Sequence, residues 1–285
     1  MTRFKQHTEI SPDFINKKLK EFFIEDCIDN DITTNATQQS EQNVFAQLIA
    51  KEQLVFAGKE IIIQGFSDCI INDIANDGEL LKRGDIIAAM RGNIDIILKK
   101  ERVILNLIQR LSGIASMAHE LSKITKPYNI ELLDTRKTTP GLRLFEKFAV
   151  AVGGGTNHRF SLKEAVMIKD NHLIGNPNIL ESVSKAKKSN PNKDVQLEVD
   201  TVKQLDIALQ SEANSILLDN FKPKSLPSVI EKIKSHPKGK NMYIELSGGI
   251  SANTLSNYCI NGVNGISMGA LTHNIKSKDI SLDIK

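Results

Sequence analysis

Hydrophobic residues in the second half of the chain form short runs that alternate with longer segments of helical periodicity. The runs are Ile130–Leu133, Ala165–Ile168, Val195–Val199, Ser215–Leu218, Met242–Leu246 and Gly265–Met268. The segments that can form helices between them are Leu142–Val152, Asn178–Lys188, Thr201–Leu209, Pro223–Ser235 and Ala252–Cys259. Repeated strand and helix units predict a parallel sheet with right-handed crossovers. Because there are six such runs instead of eight, we expect a barrel or a partly open barrel.

The first third of the chain has a different pattern, which predicts a small α+β domain. Residues 12–26 carry apolar side chains at helical spacing, so an amphipathic helix is expected there. Residues 31–34 follow as a polar loop, either a ligand edge or, more simply, a connection to the next strand. Residues 43–50 and 54–64 have the β-branched and aromatic runs typical of strands. Residues 80–92 predict a strand, a tight turn and a strand.

A long helix is predicted between these two regions. Apolar residues recur with helical spacing from Ile94 to about Ile124, and Gly113 indicates a break and a domain boundary. Arg102 lies in the middle of this helix, where its simplest interpretation is a surface or interface salt bridge.

Each apolar run of the second half ends in charged, polar or glycine residues. The residues that follow the runs, in order, are Asp134–Lys137, Lys169–His172, Glu198–Asp200, Asp219–Asn220, Ser247–Gly249 and Gly269. The carboxyl ends of parallel strands form one rim, where the loops converge and ligands bind. The sequence therefore predicts a ligand site at this rim.

The residue types at this rim favour three kinds of ligand. Cationic or neutral donors suited to a small polycarboxylate are Arg136, His158, Arg159 and Lys169. The carboxylates of Glu198 and Asp219, on neighbouring predicted strands, could hold a divalent cation directly or through water, or stabilise a developing positive centre. Small residues with free N–H groups, where a phosphate could sit, are Ser247, Gly248, Gly249 and Gly269.

Composition excludes several other classes of protein. The formal charge of +3 is spread along 285 residues of which 5% are aromatic, which does not indicate a nucleic-acid partner. Cys27, Cys69 and Cys259 are too widely spaced for a disulfide framework or a zinc pattern. The first residues contain no apolar signal segment, and no run is long enough to span a membrane, so we expect a cytoplasmic protein.

The motifs of the chain closely resemble those of the quinolinate phosphoribosyltransferase family, the decarboxylating enzymes of de novo NAD synthesis. The motifs that carry the resemblance are Asp31–Thr34, Glu101–Arg102, Leu111–Ala115, Asp134–Arg143, Glu146–Lys147, Gly153–Arg159, Ile168–His172, Glu198, Asp219, Ser247–Gly249 and Gly269–His273. They extend over nearly the whole chain.

The resemblance implies a fold and an assembly. The expected fold is α/β, with an N-terminal α/β sandwich domain plus an incomplete (open) α/β barrel. The sandwich would comprise residues 1–113, rejoined by about 273–285, and the barrel residues 114–272. The resemblance also implies a homodimer or a higher homo-oligomer in which Arg102 crosses into the neighbouring site.

The resemblance also implies a role for each site residue. Arg136, Arg159 and Lys169, with His158, would hold the two carboxylates of quinolinate. Lys137 would face the phosphates of phosphoribosyl pyrophosphate, and Glu198 and Asp219 its ribose and Mg²⁺. Contacts to the 5′-phosphate would come from Ser247, Gly248, Gly269 and His273. Lys137, Glu198 and Asp219 would be the catalytic residues.

Two alternatives to this function are left open. One is a related phosphoribosyltransferase, specific for nicotinate or associated with molybdenum transport, in which one of the anion contacts would be missing. The other is a non-catalytic sensor of anions or nucleotides on an enzyme-like scaffold, for which loss of Glu198, Asp219 or Lys169 would be expected. All of these residues are present.

Overall fold

The computed structural model describes residues 3–38 and 42–285. The strands in this part of the chain are β1 (Asn43–Ala50), β2 (Leu54–Val55), β3 (Ile70–Ile74), β4 (Leu80–Leu81), β5 (Ile86–Asn93), β6 (Glu131–Leu133), β7 (Val166–Ile168), β8 (Val195–Val199), β9 (Ser215–Asp219), β10 (Tyr243–Ser247), β11 (Gly265–Ser267) and β12 (Ile280–Ile284). The α-helices are α1 (Pro12–Glu25), α2 (Ile32–Thr37), α3 (Lys59–Gly65), α4 (Ile94–Thr125), α5 (Arg143–Val152), α6 (Asp170–Gly175), α7 (Ile179–Ser189), α8 (Val202–Ala208), α9 (Leu226–Ser235) and α10 (Ala270–His273). Within the same residues, no helix combines the length and the apolar composition needed to cross a bilayer.

The chain forms two compact units. The parallel-sheet unit contains the described residues of Met1–Lys5, Glu120–Thr138 and Gly155–His273. The antiparallel-sheet unit contains those of Gln6–His119, Thr139–Gly154 and Asn274–Lys285.

The parallel-sheet unit is built on six strands in the order β6-β11-β10-β9-β8-β7. Every pairing in this sheet is parallel. All residues of β8 are buried, as expected of a parallel strand covered on both faces. The six predicted strands are thus confirmed. Because β6 and β7 are the two edges of the sheet, the barrel is open, and the expected fold class is confirmed.

Alternate residues of the central strands share one face of this sheet. On that face, three pairs of residues lie opposite each other on β9 and β10, and each pair forms one level: Ser215 with Tyr243, Leu217 with Glu245, and Asp219 with Ser247. The last of these levels lies at the carboxyl ends of the strands, and the first at their amino ends. The same face therefore extends from the predicted ligand rim down to Ser215 and Tyr243.

The antiparallel-sheet unit contains a four-stranded sheet in the order β12-β1-β5-β3 and a two-stranded sheet of β2 and β4. The edge strand β12 pairs antiparallel with β1 from Ala46 to Ala50. The predicted amphipathic helix is confirmed as α1. It begins after Ser11, whose side-chain oxygen accepts a hydrogen bond from the backbone N–H of Phe14. Phe56 and Phe66 are fully buried in this unit.

The strand predicted over residues 54–64 is wrong beyond Val55, because Lys59–Gly65 form the helix α3. The carboxylate of Asp77 accepts hydrogen bonds from the backbone N–H groups of Gly58, at 2.6 Å, and Lys59, at 3.1 Å. This cap satisfies the first donors of the helix. A β-rich composition was therefore overridden by a contact with a residue 18 or more positions away.

Three further predictions are corrected. The helix α4 passes through Gly113 without a break, and a Cβ at this glycine would lie 2.4 Å from the carbonyl oxygen of Lys276. The glycine therefore permits close backbone contact.

The polar loop predicted at residues 31–34 is instead the start of α2. The side chain of Asp31 caps this helix by accepting hydrogen bonds from the backbone N–H groups of Thr33 and Thr34. Within residues 252–259 the structure has only a single 3₁₀ turn, at Leu255–Tyr258.

Candidate active site

A cavity of about 730 Å³ lies in the parallel-sheet unit and is lined by residues at the carboxyl ends of the strands. The predicted site residues that line it are Arg136, Lys137, His158, Arg159, Lys169, Asp219, Ser247, Gly248, Gly249, Gly269 and His273. The rim predicted from the sequence therefore surrounds one shared cavity.

Glu198 contacts one of the residues that line the cavity, Lys169. Glu198 lies on the buried strand β8, next to β9, so this residue and Asp219 do lie on neighbouring strands. The Glu198 carboxylate, with 8% of the residue exposed, accepts a hydrogen bond from the Lys169 ammonium. Lys169, which lines the cavity, thus connects Glu198 with the other site residues.

Negative charge accumulates on this side of the cavity. Burial raises the pKa of Glu198, as do the charges of Asp219 and Asp170, against the opposing hydrogen bond from Lys169. Burial, Asp219 and Asp170 also raise the pKa of Asp200. Groups of like charge held together in this way are stabilised by a cation.

This carboxylate pair fits Mg²⁺, which prefers oxygen ligands and keeps several waters. Among residues 3–38 and 42–285 no group of three or more His, Cys, Asp or Glu side chains could enclose a metal ion. Glu198 and Asp219 would therefore supply only part of the coordination, and water or substrate oxygens the rest.

Positive charge accumulates on Arg136 and Arg159. Burial lowers the pKa of Arg159, and the adjacent charge of Arg136 lowers it further, while Glu164 and Glu245 act in the opposite direction. The Arg159 guanidinium is fixed by its Nη1, which donates to the Ala165 carbonyl at 2.8 Å. Because the two guanidinium groups repel each other, an anion bound between them would relieve that repulsion.

His158 is held on both sides of its ring. Its Nδ1 accepts a hydrogen bond from the backbone N–H of Arg159 at 2.7 Å, which places the proton of a neutral ring on Nε2. The Nε2 atom faces the Glu245 carboxylate at 3.3 Å. The segment itself is attached to β6 by a parallel bridge between Leu133 and Thr156. Both ring nitrogens therefore make bonds within the protein.

The glycines of the rim provide space. Gly248 has a φ of +87°, and a Cβ there would lie 2.3 Å from Oδ1 of Asn220. A Cβ at Gly269 would lie 2.8 Å from Cδ of Lys137 and 3.0 Å from the ring of His273. A Cβ at either position would therefore displace a neighbouring polar side chain.

Several cavity residues were missed by the sequence analysis. Glu245 lies within the run that was interpreted as apolar, is 1% exposed and accepts a hydrogen bond from Gln196 at 2.7 Å. A charged residue inside an apolar strand run, two positions from a rim serine, is the signal that could have found it. Met167 and Leu217 also line the cavity and add apolar surface.

Arg102 lies elsewhere in the chain. It belongs to α4 in the antiparallel-sheet unit and lines a second cavity, of about 430 Å³. Other residues around that cavity are Asp26, Cys27, Ile28, Asn30, Asp31, Ile32, Leu98 and Lys99. The expectation that Arg102 reaches a neighbouring subunit's site stays a prediction.

Comparison with protein families decides the classification. The sequence model described as quinolinate phosphoribosyl transferase, C-terminal domain, matches residues 114–283. The corresponding N-terminal domain model matches residues 31–112. The chain belongs to the quinolinate phosphoribosyl transferase family.

Two relatives and one solved structure from this family match along almost their whole length. A probable nicotinate-nucleotide pyrophosphorylase (carboxylating) from Bacillus subtilis (strain 168) is 41% identical over 275 residues, covering 95% of this chain and 93% of the relative. Its counterpart from Methanocaldococcus jannaschii is 38% identical over 281 residues, covering 95% of this chain and 98% of the relative. The solved structure of the nicotinate-nucleotide pyrophosphorylase from Francisella tularensis has a TM-score of 0.90 at 33% identity, with 99% of both chains covered.

Proposed function

We propose that the protein transfers the phosphoribosyl group of phosphoribosyl pyrophosphate to quinolinate, with decarboxylation. The products are nicotinate mononucleotide, pyrophosphate and CO₂, and the pathway is de novo NAD biosynthesis. The observation that carries the proposal is the shared cavity, in which Arg136, Arg159 and Lys169 meet Asp219 and, through Lys169, Glu198.

The charge of the cavity suits both substrates. Quinolinate is a dianion and phosphoribosyl pyrophosphate a polyanion, so bringing them together costs electrostatic energy unless cations surround both. Arg136 and Arg159 would grip the two carboxylates, since a guanidinium matches a carboxylate in geometry. The apolar side chains of Met167 and Leu217, which line the same cavity, would contact the pyridine ring.

Lys137 would neutralise the phosphates of the second substrate. Its backbone carbonyl accepts a hydrogen bond from the Thr272 hydroxyl at 2.6 Å, which ties this segment to α10, the short helix that follows Gly269 and ends at His273. The 5′-phosphate would bind at the end of β10, the strand that pairs with β11, where Ser247, Gly248 and Gly249 lie. The two substrates would thus be held with the ribose between them.

The transfer step needs stabilisation of charge and no protein nucleophile. The bond from ribose C1 to the pyrophosphate oxygen breaks, its electron pair leaves with pyrophosphate, and the pyridine nitrogen forms the new bond to C1. Glu198 and Asp219 would stabilise the positive charge that develops on the ribose, and Lys137 the charge on the leaving group. Mg²⁺ bound beside Glu198 and Asp219 would supply further neutralisation of the pyrophosphate charge.

The decarboxylation follows from the new bond. Once the pyridine nitrogen is quaternary, it attracts the electron pair of the bond between C2 and its carboxylate carbon. That bond breaks, CO₂ leaves, the electron pair stays on C2, and a proton from solvent replaces the carboxylate. The residues that grip the carboxylates would hold the ring in the same position throughout.

We also propose a homodimer or higher homo-oligomer in the cytoplasm. Support for the assembly comes from the family resemblance, which implies that Arg102 acts in a neighbouring site; Arg102 itself lines a cavity other than the main one. Support for the compartment comes from Cys27, Cys69 and Cys259, which are free thiols. Complementation in mixed oligomers of an Arg102→Ala chain and a Lys137→Ala chain tests the assembly. Partial recovery of activity would support it, and activity no greater than that of either variant alone would oppose it.

A comparison of two acceptor molecules tests the proposed reaction. Purified protein is incubated with phosphoribosyl pyrophosphate and Mg²⁺ and with either quinolinate or nicotinate, and nicotinate mononucleotide is quantified. We expect product from quinolinate and far less from nicotinate, because Arg136 and Arg159 would both be used only by the dicarboxylate. Preferential use of nicotinate would favour the nicotinate-specific alternative, and no product from either acceptor would favour the sensor.

A further inference from the structure

The segment Arg3–Phe4 lies at the amino-terminal end of the sheet face that carries Glu245 and Asp219. The Nη2 of Arg3 donates to the Ser215 hydroxyl at 2.9 Å, and its guanidinium carbon lies 4.6 Å from the centre of the Tyr243 ring. The side chain of Arg3 is 13% exposed. Arg3 is therefore enclosed by the start of β9 and the start of β10.

Arg3 brings positive charge close to a buried acid of the cavity. Its Nη1 lies 3.9 Å from Oε2 of Glu245, whose side chain is 1% exposed. The same Oε2 atom accepts a hydrogen bond from the Gln196 side chain at 2.7 Å and lies 3.3 Å from Nε2 of His158. A buried carboxylate needs such partners, because burial without them is costly. Arg3 adds a positive charge to the hydrogen bonds that Glu245 makes with its other neighbours.

Phe4 contacts His158, the residue whose Nε2 faces Glu245. Its ring stacks on the imidazole of His158, with ring centres 4.7 Å apart and an angle of 27° between the planes. His158 is 95% buried by this and its other contacts, since only 5% of the residue is exposed. Stacked aromatic pairs favour one ring orientation over others. Phe4 therefore limits the rotation of the His158 ring.

The series of contacts continues to the anion-binding residues. Glu245 faces Nε2 of His158, and Nδ1 of His158 accepts the backbone N–H of Arg159. If the ring turned, the hydrogen bond to the backbone N–H of Arg159 would be lost, and the guanidinium of Arg159 would keep its contact with the Ala165 carbonyl without that support. Contacts therefore run from Arg3 and Phe4, outside the cavity lining, to a residue proposed to grip the substrate.

We propose that Arg3 and Phe4 are positioning residues of the dicarboxylate subsite, fixing Glu245 and the ring of His158 and so the place of Arg159. The proposal rests on the proposed function. It also assigns His158 a new task, because both of its ring nitrogens serve the protein. His158 would shape the subsite by holding Arg159, in addition to any contact with quinolinate.

Kinetics of single variants test this proposal. Phe4→Ala should raise KM for quinolinate about three- to tenfold, the range expected for loss of an aromatic pair. KM for phosphoribosyl pyrophosphate should stay unchanged, since Lys137 and the rim glycines lie outside this series of contacts. Phe4→Tyr keeps the ring and should restore wild-type values. Arg3→Ala should behave like Phe4→Ala, Arg3→Lys should retain part of the function, and Lys5→Ala, at an exposed neighbouring position, is the matched control.

Nuclear magnetic resonance of ¹⁵N-labelled histidine supplies a second readout without substrates. In wild type the His158 ring should be in the form protonated on Nε2, and Arg3→Ala and Phe4→Ala should shift its resonances while Lys5→Ala does not. Unchanged resonances together with an unchanged KM for quinolinate would overturn the proposal. It would also be overturned if KM for both substrates rose in parallel with lost thermal stability. If the wild type makes no product from quinolinate, the proposed function itself fails, and that outcome is recognised without any variant.

Discussion

The buried carboxylate of Asp134 accepts a hydrogen bond from the backbone N–H of His158 at 2.8 Å. Asp134 directly follows β6, and its second oxygen accepts from the Asn157 side-chain amide at 2.7 Å. An acid at the end of an edge strand thus anchors the segment that carries His158 and Arg159. Together with the bridge between Leu133 and Thr156, this acid positions the anion-binding residues along the outer edge of β6.

Asp134→Asn should destabilise the protein and weaken quinolinate binding. The amide of asparagine offers one acceptor instead of two, so a buried donor loses its partner, at a cost of about 1–3 kcal/mol. Urea unfolding and KM for quinolinate measure the two effects. Asp194→Asn, at an exposed position, is the control and should change neither. Wild-type stability in Asp134→Asn would contradict the anchoring role.

Glu198→Gln should gain stability and lose activity. Because the pKa of Glu198 is raised in the folded state, ionisation of this group costs stability as the pH rises through that pKa. Glutamine does not ionise, so the variant should exceed wild type in unfolding free energy more at pH 7 than at about pH 4. We expect kcat to fall about 100-fold, as for loss of one group that stabilises the transition state.

Urea unfolding at the two pH values, together with steady-state kinetics, checks this prediction. Glu212→Gln removes an exposed carboxylate and should leave both stability and kcat near wild type. If Glu198→Gln had the same pH dependence of stability as wild type, the pKa of Glu198 would not be raised in the folded state, and the prediction would be wrong.

Substitution of two adjacent glycines should have unequal effects. Gly249 has a φ of +63° and nothing within 4 Å of an added Cβ, and asparagine tolerates this backbone conformation. At Gly248 the added Cβ would lie 2.7 Å from the backbone nitrogen of Asn220. Gly249→Asn should therefore be mild, whereas Gly248→Asn should raise KM for phosphoribosyl pyrophosphate and cost about 1–3 kcal/mol of stability. Equal effects at the two positions would contradict this steric account.

Removal of either guanidinium should weaken the dicarboxylate specifically. Arg136→Gln or Arg159→Gln loses a charge-assisted hydrogen bond, so KM for quinolinate should rise about 10- to 100-fold. Quinolinate should also raise the unfolding temperature of wild type more than that of either variant. Lys163→Gln removes one positive charge at an exposed position and serves as the control. A rise in KM of the control as large as that of Arg159→Gln would indicate a general charge effect.

The sequence predicts the parallel-sheet unit better than the antiparallel one, for a physical reason. Strands such as β8 are buried on both faces and appear as apolar runs with polar ends, so both the strand and its rim residue are visible in the sequence. The helix α3 was missed because its cap, Asp77, lies far along the chain. The edge strand β12 was not predicted, since its place depends on pairing with β1.

The same distinction holds for the candidate site. Residues that follow strands, such as Lys169, were predicted because the rim rule applies to any parallel strand. Glu245 was hidden inside a strand, and Arg3 and Phe4 contribute through contacts with residues more than 150 positions away. Such contacts depend on packing, which a single sequence does not reveal.

The most direct test of the central claim is the fate of the 2-carboxylate of quinolinate during turnover. Quinolinate labelled with ¹³C at that carboxylate is incubated with the protein, phosphoribosyl pyrophosphate and Mg²⁺, and labelled CO₂, pyrophosphate and nicotinate mononucleotide are quantified. We predict that all three are released in equal amounts. Pyrophosphate released without labelled CO₂, or a product that keeps the label, would contradict the account.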